Sequence, residues 1–188
     1  MLLYEKNGTI FCYIHIPKNS GKFHRQEVTE HANVLKSYWG TENGVDLAHI
    51  PYMYVAPVSP ENVVGNVRFY AHTRNPYNRV VSAFFYLNHE GTIDGFKELV
   101  VNELASYVFD DTFPSDFIHY YPQYMFVYDK DFKTRVKTQR LEDMNLSGLN
   151  TYDRETYFND EVLEIINRVY RPDFEKFGYD MIKVAQVS

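Results

Sequence analysis

The chain has 188 residues, with 19 Lys and Arg residues against 25 Asp and Glu residues, and therefore a net charge of −6 at neutral pH. This acidic balance argues against a general nucleic-acid binder, because such proteins are normally basic. A hydrophobic content of 45% excludes a disordered chain, and the length suits a single domain that spans residues 1–188.

Cysteine usage and apolar runs narrow the class of protein further. Cys12 is the only cysteine, so an intrachain disulfide and a Cys-based metal site are both excluded. The sequence has no basic segment followed by a long apolar stretch, as a signal peptide has, and no apolar run long enough to span a membrane. We therefore predict a soluble, cytoplasmic protein without a membrane span and without a metal site.

The first part of the chain predicts a strand, a polar loop and a helix in succession. Residues 9–16 are almost continuously apolar and aromatic, which is typical of a strand buried on both faces. Pro17 ends this strand, a short polar loop covers residues 18–22, and residues 23–38 predict a helix. Strand, loop and helix in this order open many nucleotide-binding α/β folds.

The middle of the chain repeats the same order of elements. Residues 67–73 predict a second strand. Asn75 suits the N-cap of the next helix and Pro76 its first position, and this helix is expected to run over residues 77–87. Residues 96–109 predict a further helix.

The last third of the chain predicts two more strands and two helices. Residues 124–128 and 135–141 are the strands, and residues 160–170 predict a helix because their apolar side chains recur at helical spacing. Pro172 is expected to open a last short helix that ends before Gly178. The predicted fold class is α/β: a three-layer, P-loop-like fold in which helices flank a central, mainly parallel sheet.

Two loops of this fold are candidates for binding phosphate. A strand that leads through a short loop into a helix presents backbone N–H groups and the positive end of the helix dipole, and the first loop adds Lys18 and Lys22. The second strand ends at Arg74, and Ser82 lies about two turns into the helix that follows. Because ligands of open α/β sheets gather at the carboxyl ends of strands, the sequence predicts a ligand with two separated phosphate-like groups.

The first loop differs from the P-loop of ATPases in two places. Ile16 stands where that motif has its first glycine, and Phe23 stands where it has the Ser or Thr that binds Mg²⁺. These differences favour phosphate recognition without hydrolysis of a Mg-nucleotide. A P-loop nucleotide kinase is therefore the weakest of the functions considered.

Three segments, in this order, resemble motifs of the PAPS-dependent sulfotransferases, whose donor is 3′-phosphoadenosine 5′-phosphosulfate (PAPS). Residues 14–21, IHIPKNSG, are similar to the 5′-phosphosulfate loop H-I-P-K-T-G-G-T, and residues 74–82, RNPYNRVVS, to the 3′-phosphate motif R-N/D-P-x-x-R-x-x-S. Residues 170–179, YRPDFEKFGY, resemble the ending Y-x-x-D-F-x-x-F-G-Y of carbohydrate sulfotransferases. The resemblance implies that PAPS, or its desulfated product PAP, is the cofactor.

The resemblance also implies roles for individual residues. Lys18 would neutralise the oxygen that bridges sulfur and the 5′-phosphate, and Arg74 and Ser82 would hold the 3′-phosphate. The first loop would contribute the remaining cofactor contacts through Asn19, Ser20, Gly21, Lys22 and Phe23. Lys22 and Phe23 stand where the family has hydroxyl residues, so Ser20 offers the one hydroxyl there and Lys22 adds a charge.

A hydroxyl acceptor needs a general base, and histidine is the first candidate. By resemblance to carbohydrate 2-O-sulfotransferases we favour His49, and we place His119 second because residues 119–123 are similar to an H-x-x-P-Q pattern near the acceptor site of related enzymes. His15 and His72 fall within predicted strands and are expected to be core or supporting residues. A structural His49, exposed or capping a helix, remains the alternative.

The implied reaction moves a sulfuryl group in line to a hydroxyl or amine of a saccharide or another small acceptor. The altered loop at Lys22 and Phe23 also leaves open a non-catalytic module of the same fold that binds PAP or a glycan. The aromatic content of 17% is the outlier of the composition. Part of it is expected to build the core, and the segment around His119–Tyr124, with Tyr120 and Tyr121, is predicted to form a platform for a sugar ring or the adenine.

Overall fold

The computed structural model describes residues 1–55, 67–144, 146 and 149–184. The strands are β1 (Leu2–Lys6), β2 (Thr9–Tyr13), β3 (Asn33–Ser37), β4 (Thr41–Glu42), β5 (Val45–Asp46), β6 (Val67–Thr73) and β7 (Lys137–Arg140). The described residues form helices α1 (Gly21–His31), α2 (Tyr52–Val55), α3 (Pro76–Leu87), α4 (Ile93–Leu99), α5 (Tyr124–Val127), α6 (Arg154–Tyr157), α7 (Asp160–Val169) and α8 (Arg171–Phe177). Short 3₁₀ turns cover Leu47–His49, Ile118–Tyr120 and Leu141–Asp143.

The main sheet has five strands in the order β3-β1-β2-β6-β7, and β4 pairs with β5 as a separate hairpin. The pairs β2–β6 and β6–β7 are parallel, whereas β1 is antiparallel to both β2 and β3. Only β1 therefore opposes the other strands, and the predicted α/β class with a mixed, mostly parallel sheet is confirmed. Tyr13 of β2 lies opposite Tyr70 of β6, which brings the loops that follow both strands to the same sheet edge.

Helices cover both faces of this sheet because successive side chains of a strand point to opposite sides. On one face Leu2, Tyr4 and Tyr13 pack against Val28 of α1. The other face carries a larger cluster that includes Cys12 and Ile14 together with side chains of α3, α7 and α8. In the described part of the chain, no helix is both long enough and apolar enough to cross a membrane.

The amino-terminal hairpin was not predicted, and it changes the helix that follows. Asn7 and Gly8 join β1 to β2 with φ values of 52° and 72°, the left-handed conformation in which Asn-Gly forms tight hairpin turns. The helix predicted over residues 23–38 ends at His31, because Ala32 is extended and Asn33–Ser37 pairs with β1 instead. The prediction of one long helix was wrong, because the second half of the segment pairs with the edge strand β1.

Residues 124–128 were predicted as a strand, and this was also wrong. They form the short helix α5, and the carboxylate of Asp173 explains why. Its two oxygens accept hydrogen bonds from the backbone N–H groups of Gln123 (2.7 Å) and Tyr124 (2.8 Å), so α8 caps the first turn of α5. That cap comes from 49 residues further along the chain and leaves no local pattern.

The remaining elements agree with the sequence apart from their ends. Asn75 caps α3 by accepting a hydrogen bond from Tyr77 N at 3.0 Å, with Pro76 in the first turn. The helix predicted over residues 96–109 begins earlier, as α4, and continues as the π-helical turn Val100–Leu104. The predicted strand at 135–141 and the last two helices are confirmed as β7, α7 and α8, and α8 ends at Gly178, whose φ is 69°.

Candidate functional site

A cleft of about 730 Å³ lies at the carboxyl ends of β2 and β6. Its walls come from the β2–α1 loop, the residue that follows β6, the second half of α3, the β4–β5 hairpin with the turn after it, and the turn that carries His119. The lining residues are His15, Lys18, Ser20, Gly21, Lys22, Trp39, Gly40, Thr41, Asp46, Ala48, His49, Arg74, Ser82, Tyr86, His119, Leu149 and Asn150. Eight of the ten residues selected from the sequence are in this set.

The β2–α1 loop is held in its conformation by a buried amide rather than by glycine. Lys18 and Ser20 have φ values of 66° and 56°, which cost energy for residues with a side chain. Asn19 between them is fully buried, and its amide donates to the carbonyl of His72 (2.6 Å) and to Oε1 of Gln123 (2.8 Å). The Asn19 side chain therefore does not line the cleft, and its bonds fix the loop to the end of β6.

The start of α1 completes the first candidate phosphate site. Ser20 is the N-cap residue of this eleven-residue helix and makes no side-chain capping bond, so its hydroxyl is uncommitted. Gly21 and Lys22 follow it in the cleft wall. Phe23 is 55% exposed and lies outside the cleft, so the structure does not bring it together with the other predicted residues.

Arg74 and Ser82 reach the same cleft from the end of β6 and from α3. The Arg74 guanidinium donates hydrogen bonds to the carbonyls of Lys18 (3.2 Å) and Asn150. Its backbone is clamped by Gln123, whose amide accepts from Arg74 N at 2.9 Å and donates to Arg74 O at 2.8 Å. Both predicted anion-binding segments therefore meet at one place.

Arg79, the second arginine of the predicted 3′-phosphate motif, is buried beneath the cleft rather than in its wall. Its Nε donates to the carbonyl of Pro17 (3.0 Å), and another guanidinium nitrogen donates to the carbonyl of His119 (3.1 Å). The Arg79 side chain thus connects the start of the β2–α1 loop with the turn that carries His119. Burial lowers its pKa, but an arginine remains charged throughout the physiological range.

Lys18 carries an unusually labile charge for a lysine. Its Nζ lies 3.9 Å from the centre of the Tyr86 ring. Burial, and then repulsion by the guanidinium groups of Arg74 and Arg79, lower its pKa to about 8. Within the described residues, neither Lys18 nor either arginine forms a salt bridge. These uncompensated cations, partly withdrawn from water, favour an anionic ligand.

His49 is positioned by the short turn that follows the β4–β5 hairpin. Asp46 caps this turn by accepting from Ala48 N at 2.9 Å, and Nδ1 of His49 lies 2.9 Å from the carbonyl oxygen of His15. A carbonyl only accepts, so Nδ1 carries the proton and Nε2 carries the lone pair. Burial is the main cause that lowers the pKa of His49 to about 3, so the imidazole is neutral and able to accept a proton through Nε2.

His119, the second candidate base, contacts His49 with their ring centres 5.2 Å apart. His15, expected to be a core or supporting residue, is buried, and its ring also lines the cleft, 4.4 Å from that of His49. Trp39 and Tyr86 in the cleft wall were missed. The position of His15 at a strand end, directly before the candidate loop, was the one sequence feature that pointed to it.

The predicted aromatic platform at Tyr120 and Tyr121 is wrong. Both side chains are buried in the core, at 2% and 0% exposure, and neither lines the cleft. A 3₁₀ turn at Ile118–Tyr120 is what allows neighbouring tyrosines to point inward together.

The described ranges contain no group of three or more His, Cys, Asp or Glu side chains placed to hold a metal ion. Comparisons of the chain with protein-family models, with curated proteins and with solved structures find no match. The function must therefore be argued from the cleft itself.

Proposed function

We propose that this protein is a cytoplasmic, PAPS-dependent sulfotransferase with a P-loop-like fold. The observation that carries the proposal is the convergence in one cleft of three elements. They are the loop residues Lys18, Ser20, Gly21 and Lys22, the pair Arg74 and Ser82, and the candidate bases His49 and His119. Two anion-binding segments next to neutral imidazoles suit a donor with two phosphates and an acceptor that must lose a proton.

The residues of the cleft fit such a donor. Among the residues that the structure describes, Lys18 and Arg74 have no carboxylate partner within salt-bridge distance, and the Ser20 hydroxyl at the amino end of α1 makes no capping bond. Ser20, Gly21 and Lys22 would hold the 5′-phosphosulfate end, where backbone N–H groups and the helix dipole favour an anion. Arg74 and Ser82 would hold the 3′-phosphate.

PAPS supplies a sulfuryl group that is already activated for transfer to a nucleophile. Lys18 would lie at the 5′-phosphosulfate end of the donor, where its ammonium would neutralise negative charge on the phosphate side during transfer. Nε2 of His49 accepts the proton of the acceptor hydroxyl as the new bond to sulfur forms. A bound polyanion raises the pKa of His49, because nearby negative charge stabilises the imidazolium.

Calorimetry with PAP tests the proposal directly. We expect the wild-type protein to bind PAP without added Mg²⁺, and Arg74→Ala to weaken binding at least tenfold, since it removes a charge-assisted phosphate contact worth about 1.5–3 kcal/mol. Arg171→Ala is the matched control, because Arg171 is an exposed arginine outside the cleft. No PAP binding by the wild type would refute the proposal, and Mg-dependent binding of ATP instead would favour a nucleotide kinase.

Transfer of sulfate separates an enzyme from a binding module of the same fold. With labelled PAPS and a mixture of hydroxyl acceptors, we expect labelled product from the wild type and a large loss in Lys18→Met, which keeps most of the side-chain volume. PAP binding in a protein that never labels any acceptor would favour the non-catalytic module.

A further inference from the structure

Five rings that line the cleft form one unbroken series of contacts. The centre of the Trp39 ring lies 6.1 Å from that of His15, His15 lies 4.4 Å from His49, His49 lies 5.2 Å from His119, and His119 lies 5.1 Å from Tyr86. Trp39 and Tyr86, at the two ends, are 55% and 51% exposed, whereas the three imidazoles between them are buried. We call this series the ring wall.

The ring wall carries no positive charge at neutral pH. Burial is the main cause that lowers the pKa of each imidazole, to about 3 for His49 and His119 and well below its usual value for His15. The carboxylate of Asp46 lies beside it, with Oδ2 at 3.9 Å from Nε2 of His49. The end of the ring wall from Trp39 to His49 is therefore neutral to acidic, whereas its other end, at Tyr86, contacts the Lys18 ammonium.

Two nitrogens of the ring wall are buried and unused. Nδ1 of His15 and Nδ1 of His119 have no hydrogen-bond partner among the described residues, although both side chains are more than nine-tenths buried. A neutral imidazole offers one donor and one acceptor, which matches a hydroxyl group that can do both. A carboxylate or a sulfate only accepts, and it would also face the Asp46 carboxylate.

Trp39 adds an apolar surface for the face of a ring. Its indole contacts the Arg25 guanidinium at 4.6 Å, and Arg25 is anchored by hydrogen bonds to Ser37 Oγ and to the carbonyl of Tyr38. Arg25 does not line the cleft, so it steadies Trp39 rather than adding a cation to the cleft wall. An exposed, supported indole next to polar hydrogen-bonding groups suits a molecule with an apolar face and a polar edge.

We propose that the acceptor is an uncharged saccharide, which packs one ring face on Trp39 and binds its hydroxyls to His15, His119 and Asp46. The proposal rests on the proposed function and adds to it the class of acceptor. Saccharides that carry a carboxylate or a sulfate at this position are disfavoured by Asp46, and a flat phenol presents a single hydroxyl to the imidazoles and the carboxylate of this wall.

Matched pairs of acceptors test the proposal. Lactose, cellobiose and chitobiose are each compared with a counterpart that carries a carboxylate or a sulfate on one ring, and 2-naphthol represents the phenols. In each pair that reacts, we expect kcat/KM to be at least tenfold higher for the neutral sugar. A preference for the anionic counterparts, or for 2-naphthol over every sugar, would overturn the proposal.

Binding gives a readout that does not need turnover. In the presence of PAP we expect a neutral disaccharide to bind with millimolar or better affinity, measured by ligand-detected NMR. PAP binding without any binding of neutral sugars at ~10 mM, above the Kd of a weak specific complex, would overturn this inference and leave the proposed function standing. A protein that does not bind PAP would refute the proposed function instead.

Two substitutions connect the result to the ring wall. Trp39→Ala should raise KM for the sugar several-fold without changing PAP affinity, and Trp39→Tyr should have a KM close to that of the wild type. Leu35→Ala controls for the loss of an exposed apolar side chain outside the cleft. Asp46→Asn keeps an oxygen to cap Ala48 and removes the charge. It should reduce the preference for neutral over anionic sugars on the order of tenfold. An unchanged preference would overturn the role of Asp46, and an unchanged KM in Trp39→Ala would overturn the stacking.

Discussion

Replacing Tyr86 with leucine should make Lys18 lose its proton at a lower pH. Burial and the two neighbouring guanidinium groups already hold the pKa of Lys18 to about 8, and the Tyr86 ring, 3.9 Å from Nζ, acts in the opposite direction by stabilising the ammonium. A cation–π contact is worth about 0.5–2 kcal/mol, which corresponds to roughly 0.4–1.5 pKa units. We therefore expect the pKa to fall to ~7, midway in that range.

The consequence for activity follows from the fraction of charged lysine. At pH 7.5 a group with a pKa of about 8 is roughly three quarters protonated, and one with a pKa of ~7 is about one quarter protonated. If the ammonium of Lys18 assists transfer, Tyr86→Leu should lose about threefold in kcat/KM for PAPS at this pH and little at pH 6, because kcat/KM reports the pKa values of the free enzyme. The alkaline limb of the pH profile should move down by the same amount as the pKa.

NMR titration of the lysine side chains measures this pKa without any substrate, and Lys18→Arg identifies the resonance. Tyr86→Phe is the matched control, because it keeps the ring face and removes only the hydroxyl. The reasoning would be refuted if Lys18 titrated at the same pH in Tyr86→Leu and in the wild type. It would also be refuted if Tyr86→Phe behaved like Tyr86→Leu, since the effect would then not come from the ring.

Two further predictions concern packing and pH. A Cβ at Gly21 would lie 1.7 Å from Nε2 of His15, so Gly21→Ala should displace that ring. The free energy of unfolding should fall by about 1–3 kcal/mol and the Tm with it. An unchanged Tm would contradict this prediction. Burial lowers the pKa of His24 and of His72 to about 4, so the unfolded state binds more protons between pH 4 and 6.5 and stability should fall as the pH drops through that window. Urea unfolding should show a loss of roughly 2 kcal/mol for each of these two histidines between pH 8 and pH 5. The double variant with glutamine at both positions should lose that share of the slope, whereas the buried His15, His49 and His119 keep theirs. The pKa of Asp173 is raised to about 6, so this group makes the folded state more stable as the pH falls and offsets part of the loss. An unchanged slope in the double variant would contradict the assignment of the loss to His24 and His72.

Local sequence patterns predicted the parts of the site that depend on a few neighbouring residues. A strand followed by Pro17 and a short loop placed Lys18 at a strand end, and Asn75 followed by Pro76 placed Arg74 and the helix of Ser82. Such caps and breakers act within a few positions, so they can be read from one sequence. The parallel pairing of β2 with β6 then brought both segments together.

The roles of Asn19 and Arg79 could not be predicted in this way. Both occupy positions of motifs that resemble phosphate contacts, yet both side chains bond to groups far away in the chain, at Gln123 and at His119. The strand β3 could not be predicted from local sequence either. The residues around Val34 are compatible with a helix or a strand, and they form a strand because they pair with the edge of β1. Only tertiary contacts separate these alternatives.

The amide of Gln123 also connects distant parts of the chain at the site. It joins Asn19 to Arg74 across separations of 104 and 49 residues, and Asp173 in α8 holds the backbone of Gln123 itself. The left-handed residues of the β2–α1 loop are thus connected to α8 through Asn19 and Gln123. Every residue that lines the cleft precedes Asp173 in the chain. A chain shortened before Asp173 would keep all the residues of the cleft and lose the carboxylate that holds Gln123.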